Sequence, residues 1–231
     1  MADVAAREST WPNGPNEPFG TPAEIAYERR SQETALYVGG KLAIVVFGML
    51  FAALAFSYFY LRTSNSEDLW RPDHITAPMP VGAWIMGFSV AAAVVYWYAV
   101  SRYRRGMHVD WEIACWTSVA LTLAAVGLQS WQFSILPFSP GSSGYSSIFI
   151  AWAGLNIVLL LTVAFWTETL AARCARLRFS HPGEAESVPE GEGARRVLTS
   201  TRYAINVGAA SGFWIFAAGV FILFWVFMYL L

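Results

Sequence analysis

The sequence predicts an all-α membrane protein, a bundle of five transmembrane helices with the N-terminus inside the cell and the C-terminus outside. Of its 231 residues, 56% are hydrophobic and only 13% are charged, whereas soluble domains average about 45–50% apolar and 25% charged residues. Four long stretches contain no Asp, Glu, Lys or Arg: 42–61, 74–101, 113–167 and 203–231. Both observations argue against a water-soluble enzyme.

The charge-free stretches predict where each span lies. A transmembrane helix needs about 20 apolar residues, so three stretches hold one span each and the stretch 113–167 is long enough for two. Prolines and glycines in 137–144 predict the turn that divides it. Because the runs are continuously apolar, they predict helices and not the alternating strands of a β-barrel. The five predicted spans are 41–62, 81–102, 112–135, 146–167 and 204–230.

The basic residues predict the orientation of the bundle. Of the 15 Lys and Arg residues, only Arg62 and Arg71 lie between the first and second spans. All the others lie in the N-terminal segment, between the second and third spans, or between the fourth and fifth. Since cytoplasmic loops carry the excess of basic residues, this distribution places the N-terminus in the cytoplasm.

Two segments outside the spans are predicted to be cytoplasmic. The polar and proline-rich residues 1–39 form an N-terminal tail, and residues 40–231 form the transmembrane domain. Within the tail, 23–37 is a candidate interfacial helix. The segment 179–201 is rich in Gly, Glu, Ser and Pro, which predicts a flexible loop.

The chain contains no recognisable active site of its own. Ionisable residues are absent from the interior of every predicted span, and the histidines His74, His108 and His181 lie outside them. Transporters, proton pumps and membrane haem proteins place such residues at mid-membrane depth. We therefore expect no catalytic residue, no metal ligand and no cofactor in this chain. The net charge of −1 gives no electrostatic reason to bind nucleic acid.

Polar and aromatic side chains within the spans have ordinary structural interpretations. Mild polar residues can form hydrogen bonds between helices; they are Ser57, Ser89, Thr117, Thr122, Gln129, Gln132, Asn156, Asn206 and Ser211. Glu112 and Glu168 are interpreted as charges at span ends. Amphipathic rings settle at the membrane surface, which is our interpretation of Tyr58, Tyr60, Trp70, Trp84, Trp97, Tyr98, Trp111, Trp116, Trp131, Trp166 and Tyr229.

Four segments, taken in chain order, carry a resemblance to a known family. The first span ends in an aromatic run, 50–62, which is followed by Trp70, Arg71 and Pro72. The third span ends in 127–132, GLQSWQ. After the turn come 145–149, YSSIF, and then Gly154. The final helix runs from 213–216, FWIF, to Tyr229 and Leu230.

Together these segments resemble the subunit III family of haem-copper terminal oxidases, the cytochrome c oxidase family. The likeness is to the five-span bacterial form, which lacks the first two helices of the seven-span form, and it covers residues 40–231. It implies a multi-pass protein of the bacterial cytoplasmic membrane. It further implies a non-catalytic subunit that packs against subunit I, which carries haem and copper, and that accompanies subunit II.

The resemblance also implies roles for particular residues. In that family, subunit III stabilises subunit I during oxygen reduction and proton pumping, assists proton supply, and holds phospholipids between helices. Gly154, Asn156, Trp214 and Phe216 would then lie inside the bundle, and Trp70 and Arg71 would anchor the outer loop. Lipid headgroups or partner subunits would meet the remaining candidates: Arg102, Arg104, Arg105, Gln129, Arg173 and Arg176.

The likeness ends at the ionisable residues of the family. Its first-helix glutamate falls near Phe47, its two histidines of the fourth span on Asn156 and Leu159, and its last-helix histidine and aspartate on Ile215 and Ala218. The helical framework is retained while those side chains are gone. The proton-related role attached to them is therefore not expected here.

Two other functions remain open from the sequence. A small membrane transporter component is favoured by five spans that contain Gln129, Gln132 and Asn156. A structural anchor of another respiratory complex would use the same scaffold. The sequence leaves the electron donor open between cytochrome c and quinol, and membership of a larger respiratory supercomplex open as well.

Overall fold

The computed structural model describes residues 22–64, 70, 76–179 and 201–231, and these form helices without strands. Helix α1 spans Pro22–Thr63, α2 spans Met79–Arg104, α3 spans His108–Ser134 and α4 spans Gly144–Phe179. Helix α5 spans Thr201–Trp225 and ends in a π-helical turn, Val226–Leu230. All five helices are long and apolar enough to cross a membrane. The all-α class and the five spans are therefore confirmed for these residues, and the orientation stays a prediction.

Helix α1 runs across the predicted boundary at residue 39. Its 42 residues form one unbroken helix, about 63 Å long at 1.5 Å per residue. The candidate interfacial helix 23–37 is therefore continuous with the first span and not a separate element. Gly40 does not interrupt it, because α1 packs tightly there: a Cβ on Gly40 would lie 2.9 Å from Ala209 Cβ. Residues 1–21 of the predicted tail 1–39 lie outside the described residues.

Helix α4 also exceeds its predicted span, 146–167, and continues to Phe179. The charge pattern predicts where the span leaves the membrane and not where the helix ends. The helix can extend beyond that point because Arg and Leu favour helix in water as well. The predicted loop 179–201 lies outside the described residues apart from its two ends. The turn between α3 and α4 falls where the prolines and glycines predict it, and Gly141 there has a φ of +84°.

The helices pack as a bundle with α1 at one edge. Helix α2 packs along α3, α3 along α4, and α5 lies against α1, α2 and α4. Because α1 contacts only one side of the bundle extensively, Leu42, Val46 and Met49 of its apolar face are exposed. The core between the helices is strongly aromatic; its largest buried side chains are Trp111, Trp152, Trp214, Tyr58, Tyr96, Tyr145, Tyr203, Phe149, Phe213 and Phe221.

The two ends of the bundle differ in charge. The arginine-rich end contains the α2–α3 turn, the end of α4 and the start of α5, with Arg102, Arg104, Arg105, Arg173, Arg176 and Arg202. The opposite, arginine-poor end contains the α3–α4 turn and the C-terminus.

Candidate functional site

A chain of buried polar side chains joins α3 to the C-terminus at the arginine-poor end. Gln129 Nε2 donates to Gln132 Oε1 over 2.8 Å, and Gln132 Nε2 donates to the Tyr229 hydroxyl over 2.7 Å. The Tyr229 ring lies directly against Gly82, where a Cβ would overlap it. The π-helical turn therefore brings Tyr229 between α2 and α3. Both glutamine side chains are fully buried.

The loop residue Trp70 is held beside this chain of polar groups. Its ring lies edge-on to Tyr58, with 5.2 Å between ring centroids. Its carbonyl accepts a hydrogen bond of 3.2 Å from the Tyr145 N–H. A Cβ on Gly144 would lie 2.8 Å from Trp70 Cε3, so this glycine permits the close approach. Trp70 thus contacts both α1 and α4. Arg71, the other residue expected to anchor the outer loop, lies outside the described residues.

The C-terminal turn completes the cluster. The Tyr145 hydroxyl donates to the Met228 carbonyl over 3.0 Å, and the Phe227 ring stacks on Tyr58 at 5.7 Å. The end of α1, the end of α3, the start of α4 and the end of α5 therefore meet in one place. We call this group the terminal cluster; its residues are Tyr58, Trp70, Gln129, Gln132, Tyr145, Met228 and Tyr229.

The arginine-rich end has its own buried hydrogen bonds. Trp111 Nε1 donates to the Tyr203 hydroxyl over 3.2 Å, and that hydroxyl donates to the Leu170 carbonyl over 2.9 Å. Trp214 Nε1 donates to Thr167 Oγ1 over 3.0 Å. These bonds link α3, α4 and α5. The interpretation of Trp111 as a membrane-surface ring is wrong, as it is for Tyr58, because the bundle encloses both side chains.

The middle of α4 carries two buried side chains, Asn156 and Trp152, whose polar atoms lack hydrogen-bond partners among the described residues. Asn156 is fully buried, and neither its Oδ1 nor its Nδ2 has a hydrogen-bond partner among the residues that the structure describes. Trp152, one helical turn earlier, is 1% exposed and its indole N–H is also unpaired. The expected interhelical hydrogen bond of Asn156 is therefore not present.

The other residues predicted to lie inside the bundle divide between core and periphery. Trp214 is buried as expected, whereas Phe216 and Gly154 are only partly buried. No atom lies within 4 Å of a Cβ added to Gly154, so this glycine does not mark a close helix contact. Glu112 is buried, with 9% of its surface exposed, which an ordinary helix-end charge does not explain.

A groove at the arginine-rich end runs between α1, α4 and α5. Its outer part is a cavity of about 620 Å³ whose lining includes Glu168, Arg173, Arg176 and Asn206. A second cavity of about 540 Å³ shares Trp166 and Asn206 with the first and adds Arg202 and Gly40. A third, of about 380 Å³, continues from Gly40 along α1 and α5; Lys41, Ile44, Ile205, Gly208, Ala209 and Gly212 line it.

The arginines of the α2–α3 turn lie apart from this groove. Arg102 Nε donates to the Tyr98 hydroxyl over 2.7 Å and lies 3.9 Å from Asp110 Oδ2. Arg104 and Arg105 are exposed. His108 is the first residue of α3. Within the described ranges, no group of three or more His, Cys, Asp or Glu residues could hold a metal ion.

Comparison with known proteins adds no relative: the chain matches no protein-family model and no curated protein. The resemblance to subunit III therefore rests on the four quoted segments alone, and membership of that family stays a prediction.

Proposed function

We propose that this chain is a non-catalytic membrane subunit, similar to subunit III, of a haem-copper terminal oxidase in a bacterial cytoplasmic membrane. In this role it packs against the subunit that carries haem and copper and stabilises it during oxygen reduction and proton pumping. Subunit II belongs to the same complex. The reaction centres lie in those partners.

The terminal cluster is the observation that carries this proposal. The four segments that resemble subunit III are far apart in the sequence, yet each contributes to one set of contacts: Tyr58 and Trp70, Gln132, Tyr145, and Tyr229. Each of the four segments has a part at the arginine-poor end of the bundle, and these side chains contact one another there. Their meeting supports a shared scaffold as the origin of the resemblance.

Purification through a tag at the N-terminus tests the proposal. The chain is extracted in a mild detergent, and its partners are identified by mass spectrometry alongside a visible absorption spectrum. We expect a multi-span partner and the bands of a-, b- or o-type haem, and the haem type narrows the choice of electron donor. A colourless preparation of this chain alone contradicts the proposal.

A transporter component is the second candidate, and the unpaired amide of Asn156 favours it. An uncompensated polar group inside a membrane bundle is expensive and commonly functional. The test is solute uptake by the chain alone in proteoliposomes. Uptake that disappears in Asn156→Leu supports a transporter, and no uptake of any solute class rejects it. The third alternative is a structural anchor of a different respiratory complex. The same purification distinguishes it from the first proposal, because the metal-bearing subunit that co-purifies would be a different one.

We further propose that the groove between α1, α4 and α5 holds an anionic phospholipid. Arg173 and Arg202 make no ion pair with a carboxylate in the part of the chain that the structure describes, and both line the groove. Basic residues at a helix end attract anionic headgroups. The apolar continuation beside Gly208 and Gly212 suits an acyl chain, since Gly212 lies about 15 Å along α5 from Arg202.

Native mass spectrometry with added phosphatidylglycerol tests the lipid proposal. We expect the double variant Arg173→Gln/Arg202→Gln to retain about tenfold less lipid than the wild type. The matched control is Arg104→Gln/Arg105→Gln, which removes the same charge at the same end but outside the groove. Equal losses in both variants would indicate general attraction to the membrane surface and contradict a specific site.

A further inference from the structure

Four tryptophan and tyrosine rings form an unbroken row from the middle of the bundle to its arginine-rich end. Trp214 stacks on Tyr96 with 5.7 Å between ring centroids, and Tyr96 lies 5.7 Å from Trp111. Trp111 in turn lies 5.4 Å from Tyr103. All three separations are those of aromatic rings in contact. Trp214 is about 18 Å along α5 from Arg202. We call these four residues the aromatic row.

The two ends of the aromatic row differ in their surroundings. Trp214 is 2% exposed, and Tyr96 and Trp111 are completely buried. Tyr103 is partly exposed and precedes the last residue of α2. Ile215, which follows Trp214 in α5, is 65% exposed at the outside of the bundle. The row therefore leads from a ring one residue away from the hydrocarbon to a ring at the arginine-rich surface.

The residue types of the aromatic row suit one-electron oxidation. Trp and Tyr lose one electron far more readily than Phe does, and an electron passes quickly between rings in contact because transfer slows steeply with distance. Ring contacts nearer the arginine-poor end pass through phenylalanine, since Trp152 contacts Phe51, Phe224 and Phe227. Among the described residues, no row of Trp and Tyr contacts leads from Trp214 to that opposite end. An oxidised Trp214 is therefore refilled with an electron from the arginine-rich end.

Hydrogen bonds decide where along the row an oxidised ring can persist. The Tyr96 hydroxyl donates to the Val207 carbonyl over 3.4 Å, and a peptide carbonyl is too weak a base to take that proton. Tyr96 therefore bridges the two indoles and does not become a lasting tyrosyl radical. The indole N–H groups of Trp214 and Trp111 donate to hydroxyl oxygens, which stabilise a positive charge on each ring. Tyr103 can lose its proton to water at the surface.

We propose that the aromatic row carries one-electron oxidation out of the membrane interior and so protects the bundle from oxidants formed in the hydrocarbon. The oxidant is a lipid peroxyl radical, which takes an electron from Trp214 and a proton from water and becomes a hydroperoxide. Electrons then move from Trp111 to Trp214 and from Tyr103 to Trp111, and Tyr103 releases a proton to water. A water-soluble thiol returns a hydrogen atom to Tyr103 and becomes a thiyl radical. This role does not depend on the proposed oxidase partner.

Flash oxidation of the purified full chain tests the row. Ile215→Cys carries a ruthenium photo-oxidant beside Trp214, and the label attaches there because both native cysteines are buried. A light flash with an added electron acceptor generates the oxidant, time-resolved absorption follows the radicals, and mass spectrometry of peptides locates the oxidised residues. We expect oxidation at Tyr103 to exceed oxidation at Tyr145 several-fold. Tyr145 is the matched tyrosine at the opposite end, where the ring contacts include phenylalanine.

Two variants of the labelled chain separate the row from simple exposure of Tyr103. Trp111→Phe removes an oxidisable ring, whereas Tyr203→Phe leaves the row intact, and both break the hydrogen bond between Trp111 Nε1 and the Tyr203 hydroxyl. We expect oxidation of Tyr103 to fall several-fold in Trp111→Phe and to stay unchanged in Tyr203→Phe.

Equal oxidation of Tyr103 in the two variants overturns the proposal. Equal oxidation of Tyr103 and Tyr145 in the labelled chain without further changes also overturns it, and this comparison decides the matter even where Trp111→Phe does not fold. Either result leaves the aromatic row as core packing alone.

Discussion

Gln132 and Asn156 are two buried amides of this bundle that differ in their hydrogen bonding. Both side chains are fully buried in apolar helices. Gln132 receives a hydrogen bond from Gln129 and donates one to Tyr229, whereas Asn156 has no hydrogen-bond partner in the described part of the chain. The difference is that a π-helical turn brings a hydroxyl to Gln132, while no described residue supplies a hydrogen-bonding group to Asn156. A polar side chain in a membrane helix stabilises the bundle only where another helix supplies its partner.

The largest expected effect comes from moving Tyr229 away from Gln132. In Gly82→Ala the new methyl group overlaps the Tyr229 ring, so the ring must shift and its hydrogen bond breaks. We expect the free energy of unfolding to fall by about 3 kcal/mol, measured by SDS-induced unfolding in mixed micelles. The control is Gly87→Ala on the same helix, where no atom lies within 4 Å of the added Cβ. Equal stability of the two variants would contradict the described contact.

A smaller loss is expected when the amide itself is removed. Gln132→Leu leaves the Gln129 amide and the Tyr229 hydroxyl without their partner, so we expect a loss of about 1–2 kcal/mol. A double-mutant cycle with Tyr229→Phe isolates the interhelical bond, whose coupling energy we expect near 0.6 kcal/mol or above. Strictly additive losses in the cycle would show that the bond contributes nothing.

Asn156→Leu is expected to change stability less than Gln132→Leu does. No protein group loses a partner, and leucine resembles asparagine in shape, so the free energy of unfolding should stay within about 1 kcal/mol of the wild type. The same unfolding assay measures it. A loss as large as that of Gln132→Leu would mean that Asn156 has a protein partner after all.

The smallest effect is expected at the surface pair Arg102 and Asp110. Their charged atoms are 3.9 Å apart and both side chains are partly exposed, so solvent screens the attraction. Asp110→Asn should lower the free energy of unfolding by about 0.3 kcal/mol at low salt and by nothing measurable at high salt. A loss that persists at high salt would show that Asp110 acts through another contact.

The fold could be predicted from the sequence because hydrocarbon imposes simple rules. Charge-free runs and the turn 137–144 identify all five helices. The continuation of α1 to Pro22 and of α4 to Phe179 could not be predicted in this way, since the absence of charge marks the membrane and not the helix end. Charged residues continue a helix readily once it enters water.

The sequence predicts which residues of the candidate site are notable, but not which partners they contact. Gln129, Gln132 and Trp70 stand out in the sequence, but which hydroxyl or ring each would meet depends on how the helices are rotated. Tyr58 and Trp111 illustrate the limit, because an aromatic ring near a span end suits the membrane surface and the interior equally well. The arginines of the groove are visible as a charge excess, while the groove between them requires the packing of α1 against α5.

The measurement that tests the proposed role most directly is oxygen consumption in membranes of cells that lack this chain. A non-catalytic, stabilising subunit without the family's ionisable residues predicts an unchanged pH profile of oxygen reduction, together with faster loss of activity during turnover and poorer assembly of the haem subunit. Restoring the chain should restore both. A shifted pH profile in a fully assembled and stable complex would contradict the account.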